Sequence, residues 1–351
     1  MTQISIIGLD IAKSVFQFEA QDAQGFVVRT ERPSREQLLP ALKTIPATVV
    51  AMEACATAHH WARQIRELGH EVRLLPPAYV KPFVQRNKTD ARDAHAIAVA
   101  ATRPDMPRVP VKSVDQQCAR SLHTTRDLLV GQRTQLINAL RGHLAEFGLV
   151  GTRGDAGAKA VIGFVEKGHP DIPPVLLEPM RVLVEEWHGK VAAIARIEAR
   201  IKAEAKADKV AQRLMTIPFV GPMIAHATVA AIGEGQQFAH ARDYAAWMGL
   251  TPRTSASGQT RRTGRISKAG DQRLRRLYVL GATAALAKAK RHPADMDPWL
   301  AELLKRRPAR VAAVALAARL ARTVWALLKT GEAYDAMRAH GRAGRLRPAA
   351  A

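Results

Sequence analysis

Four acidic residues stand where an acid needs a reason. Asp10 follows the β-branched apolar run Ile4, Ile6, Ile7 and Leu9, which reads as a buried strand with Gly8 inside it. Glu53 closes a second apolar run, ATVVAME at 47–53. Asp90 and Asp93 lie three apart, at the start of a run whose apolar positions Ala94, Ile97, Ala98 and Ala101 keep a helical period, so both share one helix face. Singly, each has an ordinary explanation: Asp10 as a turn cap, the Asp90/Asp93 pair as first-turn acids matched to the helix dipole. Together, four carboxylates at element ends repel one another unless cations sit among them. Two Mg²⁺ ions are the usual resolution in enzymes of phosphoryl transfer. Lys81, Arg86 and Lys88 place positive charge beside the pair, suited to phosphates.

A second stretch with chemical potential runs from Gly249 to Leu277. From Arg253 to Arg276 it holds Arg261, Arg262, Arg265, Lys268, Arg273 and Arg275 against the single acid Asp271. Ser255, Ser257, Gly258, Gly264 and Gly270 are threaded through it, residues that let backbone amides and hydroxyls come close to a phosphodiester. The pattern reads as a flexible Gly/Ser loop that binds phosphate. The whole chain agrees: 351 residues with a formal net charge of +22 exceed what solubility requires, and nucleic acid is the simplest polyanionic partner, well ahead of an anionic membrane.

No apolar run is expected to reach the roughly 20 residues of a membrane span. The start MTQISIIGLD reads as a strand and not as a signal peptide, so a cytoplasmic protein is expected. Two cysteines, Cys55 and Cys118, cannot make a disulfide framework and are expected to be reduced and half-buried. The histidines, His59 and His60 among them, show no metal-ligand spacing.

The elements that must position these groups follow from the apolar periods. A second strand folds back through Val15, Phe16 and Phe18, a third covers 25–32, and a helix runs from Ser34 to Lys43. After the strand ending at Glu53 come a helix over 61–68 and a strand over 70–75. Three antiparallel strands followed by strand-helix-strand units give an α/β ribonuclease H-like fold. Beyond a proline-punctuated linker, 113–149 and 174–210 read as long helices that would pair as an antiparallel coiled-coil insertion, with the Gly-rich segment 151–160 ending the first. Leu214 to Glu234 has the outline of either a helix-hairpin-helix or a plain αα-hairpin. Amphipathic or apolar helices follow near 238–249, 274–290, 297–306 and 311–328, which makes the C-terminal domain mainly α. The tail from His340 reads as basic and disordered. The expected divisions are 1–110, 111–210, 211–335 and 336–351.

The strings GLDIAKSVF, MEACATAHHWARQIRELGHEVRLLPPAYVKPFVQRNKTDARDA and GLTPRTSASGQTRRTGRISKAGDQRLRRL closely resemble the IS110-type transposases of bacterial insertion sequences. The likeness runs through nearly the whole chain. It implies a RuvC-like first domain whose Asp-Glu-Asp-Asp tetrad falls on Asp10, Glu53, Asp90 and Asp93, and a second domain that contributes a nucleophilic serine just before a glycine. Ser257 fits that place, with Ser255 as the alternative. Arg253, Arg261, Arg262, Arg265, Lys268 and Arg273, with Lys88, would then contact nucleic acid. Relatives often carry glycine at Ala56 and usually at Phe219. The resemblance further implies DNA cleavage and rejoining, a noncoding guide RNA, and sites shared between subunits of a homodimer or homotetramer. The competing enzymatic reading is a metal-only nuclease, such as a Holliday-junction resolvase, with water as nucleophile.

Overall fold

The computed structural model describes residues 3–84, 89–258 and 260–335. The chain divides into two compact units that meet at Val114 and Asp115. In the first, β1 (Ile6–Asp10), β2 (Gln17–Gln21) and β3 (Val27–Glu31) form an antiparallel meander, followed by α1 (Leu38–Lys43), β4 (Val49–Glu53), α2 (Ala58–Glu67) and β5 (Glu71–Leu75). A single turn, α3 (Pro77–Val80), leads to α4 (Asp90–Thr102). The sheet order is β3-β2-β1-β4-β5, with β1-β4 and β4-β5 parallel. A mixed sheet in this order, covered on both faces, is the ribonuclease H-like arrangement.

Strand alternation sorts the side chains. Ile7, Leu9, Val50 and Met52 pack with Leu38, Leu42, Trp61 and Ile65 of α1 and α2. Ile6 and Ala51 face the other way, against Ala96, Ile97, Ala100 and Ala101 of α4. Gly8 lets that helix approach: an added Cβ would lie 2.1 Å from the Ala94 carbonyl oxygen and 2.6 Å from the Ala98 nitrogen.

The second unit begins with α5 (Val114–Ala145), α6 (Asp155–Glu166) and α7 (Pro174–Ala207). The first and last run antiparallel: Arg126 bonds Glu198, while Ile137, Leu140 and Leu144 share a core with Met180 and Val184. The Gly-rich segment read as a helix end opens α6. Gly157 is required there because a Cβ would sit 1.6 Å from the Thr152 carbonyl oxygen. Next come α8 (Lys209–Leu214), α9 (Pro222–Ile232), α10 (Ala241–Trp247), the strands β6 (Pro252–Ser257) and β7 (Thr260–Ile266), and α11 (Gln272–Arg291), α12 (Pro298–Arg306) and α13 (Ala309–Thr330).

Two expectations change. By length and composition α13 could cross a membrane, with a mean hydropathy of 1.7 over an 18-residue window. Half of that window is buried, and Ala317, Ala321, Val324 and Leu328 sit in the core with Tyr244 and Tyr278, so it is the central helix of this unit. Both cysteines are exposed, where half-buried positions were expected. The tail from 336 onward, with the expectation of disorder there, lies outside the described residues.

A buried polar chain joins three helices. The His123 ring meets His226 at 2.9 Å, and His226 meets Glu204 at 3.0 Å. Burial, with the nearby His226, Arg273 and Arg126 and despite Asp127, pushes His123 down to about 4 from 6.5. The unfolded chain therefore binds a proton that the fold refuses between those values. About 3 kcal/mol should be present above pH 6.5 and lost as pH falls toward 4. Urea midpoints at pH 7 and pH 4.5 should show this loss, and His123→Gln should flatten it. Equal pH dependence in both proteins would rule His123 out as its source.

Candidate active site

Asp10 and Glu53 end adjacent parallel strands, one residue beyond the pair Leu9 and Met52. By alternation they share the α4 side with Gly8 and Ala51. Asp90 and Asp93 occupy the first turn of α4, whose N-cap Thr89 accepts a hydrogen bond from the Arg92 amide. The helix crosses Gly8 at Ala94 and Ala98. Arg32, just past β3, reaches Asp90 at 3.6 Å, which marks the first turn of α4 at the Asp10 end of the sheet. So exposed a pair adds little stability. Cys55 senses the same corner: partial desolvation first, then the charges of Glu53 and Asp10, hold its thiol above the ordinary range.

The four carboxylates thus belong to one end and one face of the first unit. Among the described residues, no three His, Cys, Asp or Glu side chains close around a common point. An oxygen-only donor set without a closed cage still fits Mg²⁺, which keeps several waters and is commonly bound by one or two carboxylates plus substrate phosphates. Lys88 and Arg86 lie outside the described residues.

One buried contribution escaped the sequence reading. Glu19 pairs with Gly8 across β1 and β2, is itself buried, and meets His95 of α4 at 2.7 Å. Gln21 donates to the same carboxylate at 2.8 Å. This link holds α4 by its second turn and so fixes where Asp90 and Asp93 project. Its signal was the polar alternation Gln17, Glu19, Gln21 in an otherwise buried strand.

In the second unit the expected flexible loop is an antiparallel hairpin. Its register pairs Ser255 with Arg262, Ala256 with Arg261, and Ser257 with Thr260. Every described side chain from 252 to 265 is exposed. Ser257 is the last strand residue before the turn, where Gly258 takes a φ of +55°. A two-stranded ribbon is marginal alone, and here its base is clamped. Lys268 and Ser267 amides donate to the Gly249 and Thr251 carbonyls at 3.1 and 2.9 Å. Arg275 donates to the Met248 and Ala269 carbonyls at 3.0 and 2.6 Å. Gly270, at φ +64°, lies so near Trp247 that a Cβ would come within 1.8 Å of its carbonyl oxygen.

The basic residues of this stretch divide. Arg253 donates to the Ser267 carbonyl at 3.1 Å, and Arg273 bonds Asp127 of α5 at 2.6 Å, joined there by Arg276. Asp271 caps α11 and pairs with Arg120 at 3.1 Å. Arg261, Arg262 and Arg265 project from the hairpin into solvent, and Lys268 follows it at a φ of +57°. At the turn before α9, Phe219 adopts a φ of +67°, a conformation that glycine takes without strain.

Comparison with known proteins agrees with both halves. Residues 7–148 match the family model of the DEDD transposases of IS110 type, a RuvC-like domain of a kind that uses a divalent metal. Residues 211–297 match the model described as "Transposase IS116/IS110/IS902 family". The chain is 45% identical over 333 residues to a probable family 20 transposase of Pseudomonas aeruginosa, covering 94% of this chain and 98% of that one. It is 38% identical over 335 residues to the transposase for insertion sequence element IS1111A of Coxiella burnetii, covering 95% and 92%. It is 36% identical over 335 residues to that for IS1328 of Yersinia enterocolitica, covering 95% and 100%. With matches of this extent on both sides of the division at Val114, the chain belongs to the IS110 family of insertion-sequence transposases, enzymes that cleave and transfer DNA.

Proposed function

We propose that this transposase cuts and rejoins DNA with a serine nucleophile, Ser257, acting on a phosphodiester that the acidic tetrad engages. The observation that carries the reading is the place of Ser257: exposed, at the tip of a clamped hairpin, against a glycine turn and among arginines. Ser255, two residues back, is the alternative nucleophile. Asp10, Glu53, Asp90 and Asp93 would hold Mg²⁺, which when bound polarises the phosphate oxygens. The serine oxygen forms a bond to phosphorus, and the bond from phosphorus to one sugar oxygen breaks. The serine proton passes to a carboxylate or solvent, and the departing sugar oxygen is protonated. The covalent ester conserves the bond energy for rejoining.

A RuvC-like domain over 1–110, a helical coiled-coil region over 111–210 and a serine-bearing domain over 211–335 would work together in a homodimer or homotetramer in the cytoplasm. Arg253, Arg261, Arg262, Arg265, Lys268 and Arg273 contact nucleic acid in this reading, Arg273 being also engaged by Asp127 of α5. A noncoding guide RNA would choose the DNA by base pairing, which leaves the protein to contact backbones. The test is a denaturing gel of labelled element DNA incubated with the protein, its co-purifying RNA and Mg²⁺. A protease-sensitive shifted band that chelator abolishes is the expected result. Efficient cleavage without any such band would assign the chemistry to water, as in a Holliday-junction resolvase.

A further inference from the structure

We propose that Arg262 is the arginine that grips the phosphate under attack, whereas Arg261, its neighbour in sequence, holds a different stretch of nucleic acid from the opposite face of the hairpin. The inference rests on the serine reading and holds for Ser257 and Ser255 alike.

In an antiparallel ribbon, directly opposed residues share a face and successive residues alternate. Ser255 opposes Arg262, and Ser257 opposes Thr260. Both serines therefore lie on one face with Thr260 and Arg262. Ala256 opposes Arg261 and Thr254 opposes Thr263, so Arg261 lies on the reverse face, among a methyl group and two threonines. Opposed Cβ atoms in such a ribbon are about 5 Å apart and diagonal ones about 7 to 8 Å. An arginine side chain spans either gap, so Arg262 can reach the oxygens of a phosphate on Ser255 or on Ser257. Arg261 would have to fold around the strand edge to do so.

The other arginines are placed less well. Arg253 lies at the register shift between Pro252 and Thr254 and is engaged with the Ser267 carbonyl. Arg265 lies past Thr263, where the pairing slips between Pro252 and Thr254. A phosphodiester carries one negative charge, and attack by the serine oxygen builds a second on the equatorial oxygens. A guanidinium presents two parallel donors to such oxygens, and lysine cannot reproduce that fork. The reverse face offers one cation with flanking hydroxyls, the composition of a backbone contact that positions without reacting.

The experiment uses the full-length protein with its co-purifying RNA and follows adduct formation on labelled element DNA in single turnover, across DNA concentrations. Arg262→Gln should lower the plateau rate about 10²-fold or more, as loss of one donor to a developing oxyanion does. Its half-saturating DNA concentration should move much less, and Arg262→Lys should recover only part of the rate. Arg261→Gln should instead raise the half-saturating concentration about tenfold, more than it lowers the plateau. Both side chains are exposed, and unchanged thermal melting confirms that each variant folds. Equal plateau losses in the two variants, or a greater one in Arg261→Gln, overturn the division of faces. If Ser257→Ala and Ser255→Ala each keep their adducts, the serine reading itself has failed; if one of them loses its adducts while the two arginines behave alike, only the division of faces has.

Discussion

Asp10→Asn and Asp93→Asn should each abolish metal-dependent strand cleavage while leaving the fold intact. The two residues reach the same corner from different elements, one at the end of β1 and the other in the first turn of α4. A cation there stabilises charge on the phosphate by several kcal/mol, so losing one carboxylate ligand should cost about 10³-fold or more in cleavage rate. Asparagine keeps the shape and one acceptor oxygen but removes the charge. It also removes a like charge from a corner that holds four, so thermal stability measured without metal should hold or rise slightly. Cleavage assays and metal-free melting of each variant separate the two effects. A variant that cleaves at the wild-type rate in Mg²⁺ would remove its residue from the metal site; a variant that unfolds would show a structural role instead.

Periodicity made much of the first unit legible. Short apolar runs marked β1, β4 and β5, and their ends placed Asp10 and Glu53 at strand termini. The reason for Gly8 was not legible, because the atoms it makes room for belong to α4, some ninety residues downstream. The link from Glu19 to His95 was hidden in the same way: polar residues in a buried strand signal a partner but do not name it. In the second unit, glycine misled where it served packing. Gly157 lies in the first turn of α6 because the backbone of Thr152, just before the helix, folds against it, a local close approach that outweighs helix propensity. The hairpin was missed because neither of its faces carries an apolar stripe: Ala256 is a lone methyl among polar residues, and Ile266 stands at the strand end. With Ser, Thr and Arg on one face and Thr, Ala and Arg on the other, a strand buries nothing, and hydrophobic period has no purchase on it. What remained visible was β-forming threonine at 254, 260 and 263 around a glycine turn. The register of that hairpin sets Arg261 on the face opposite Ser255 and Ser257, and Arg273 is engaged by Asp127.

Ser257→Ala should eliminate covalent protein–DNA adducts and recombination while retaining DNA and RNA binding. A serine hydroxyl is a weak nucleophile, and no carboxylate or histidine lies in the hairpin to take its proton. Attack therefore depends on presentation and on charge. The clamped base, with Arg275 on two carbonyls and Gly270 against Trp247, holds the ribbon so that its tip meets a phosphate in a fixed direction. Alanine leaves all of this in place, since Ser257 is exposed and its strand pairing with Thr260 runs through the backbone. Removing the hydroxyl removes the atom that forms the ester when Ser257 is the nucleophile, so the loss should be complete and not graded. Ser255→Ala is the control: it shares the face and opposes Arg262, yet stands two residues from the turn, and should lose much less. The measurement is the denaturing gel with each variant, alongside DNA binding on a native gel. Adducts that persist in Ser257→Ala and vanish in Ser255→Ala would move the nucleophile two residues toward the hairpin base, still beside Arg262. Adducts that persist in both would place the ester on a residue outside this ribbon, and the hairpin would then be a phosphate grip without a nucleophile.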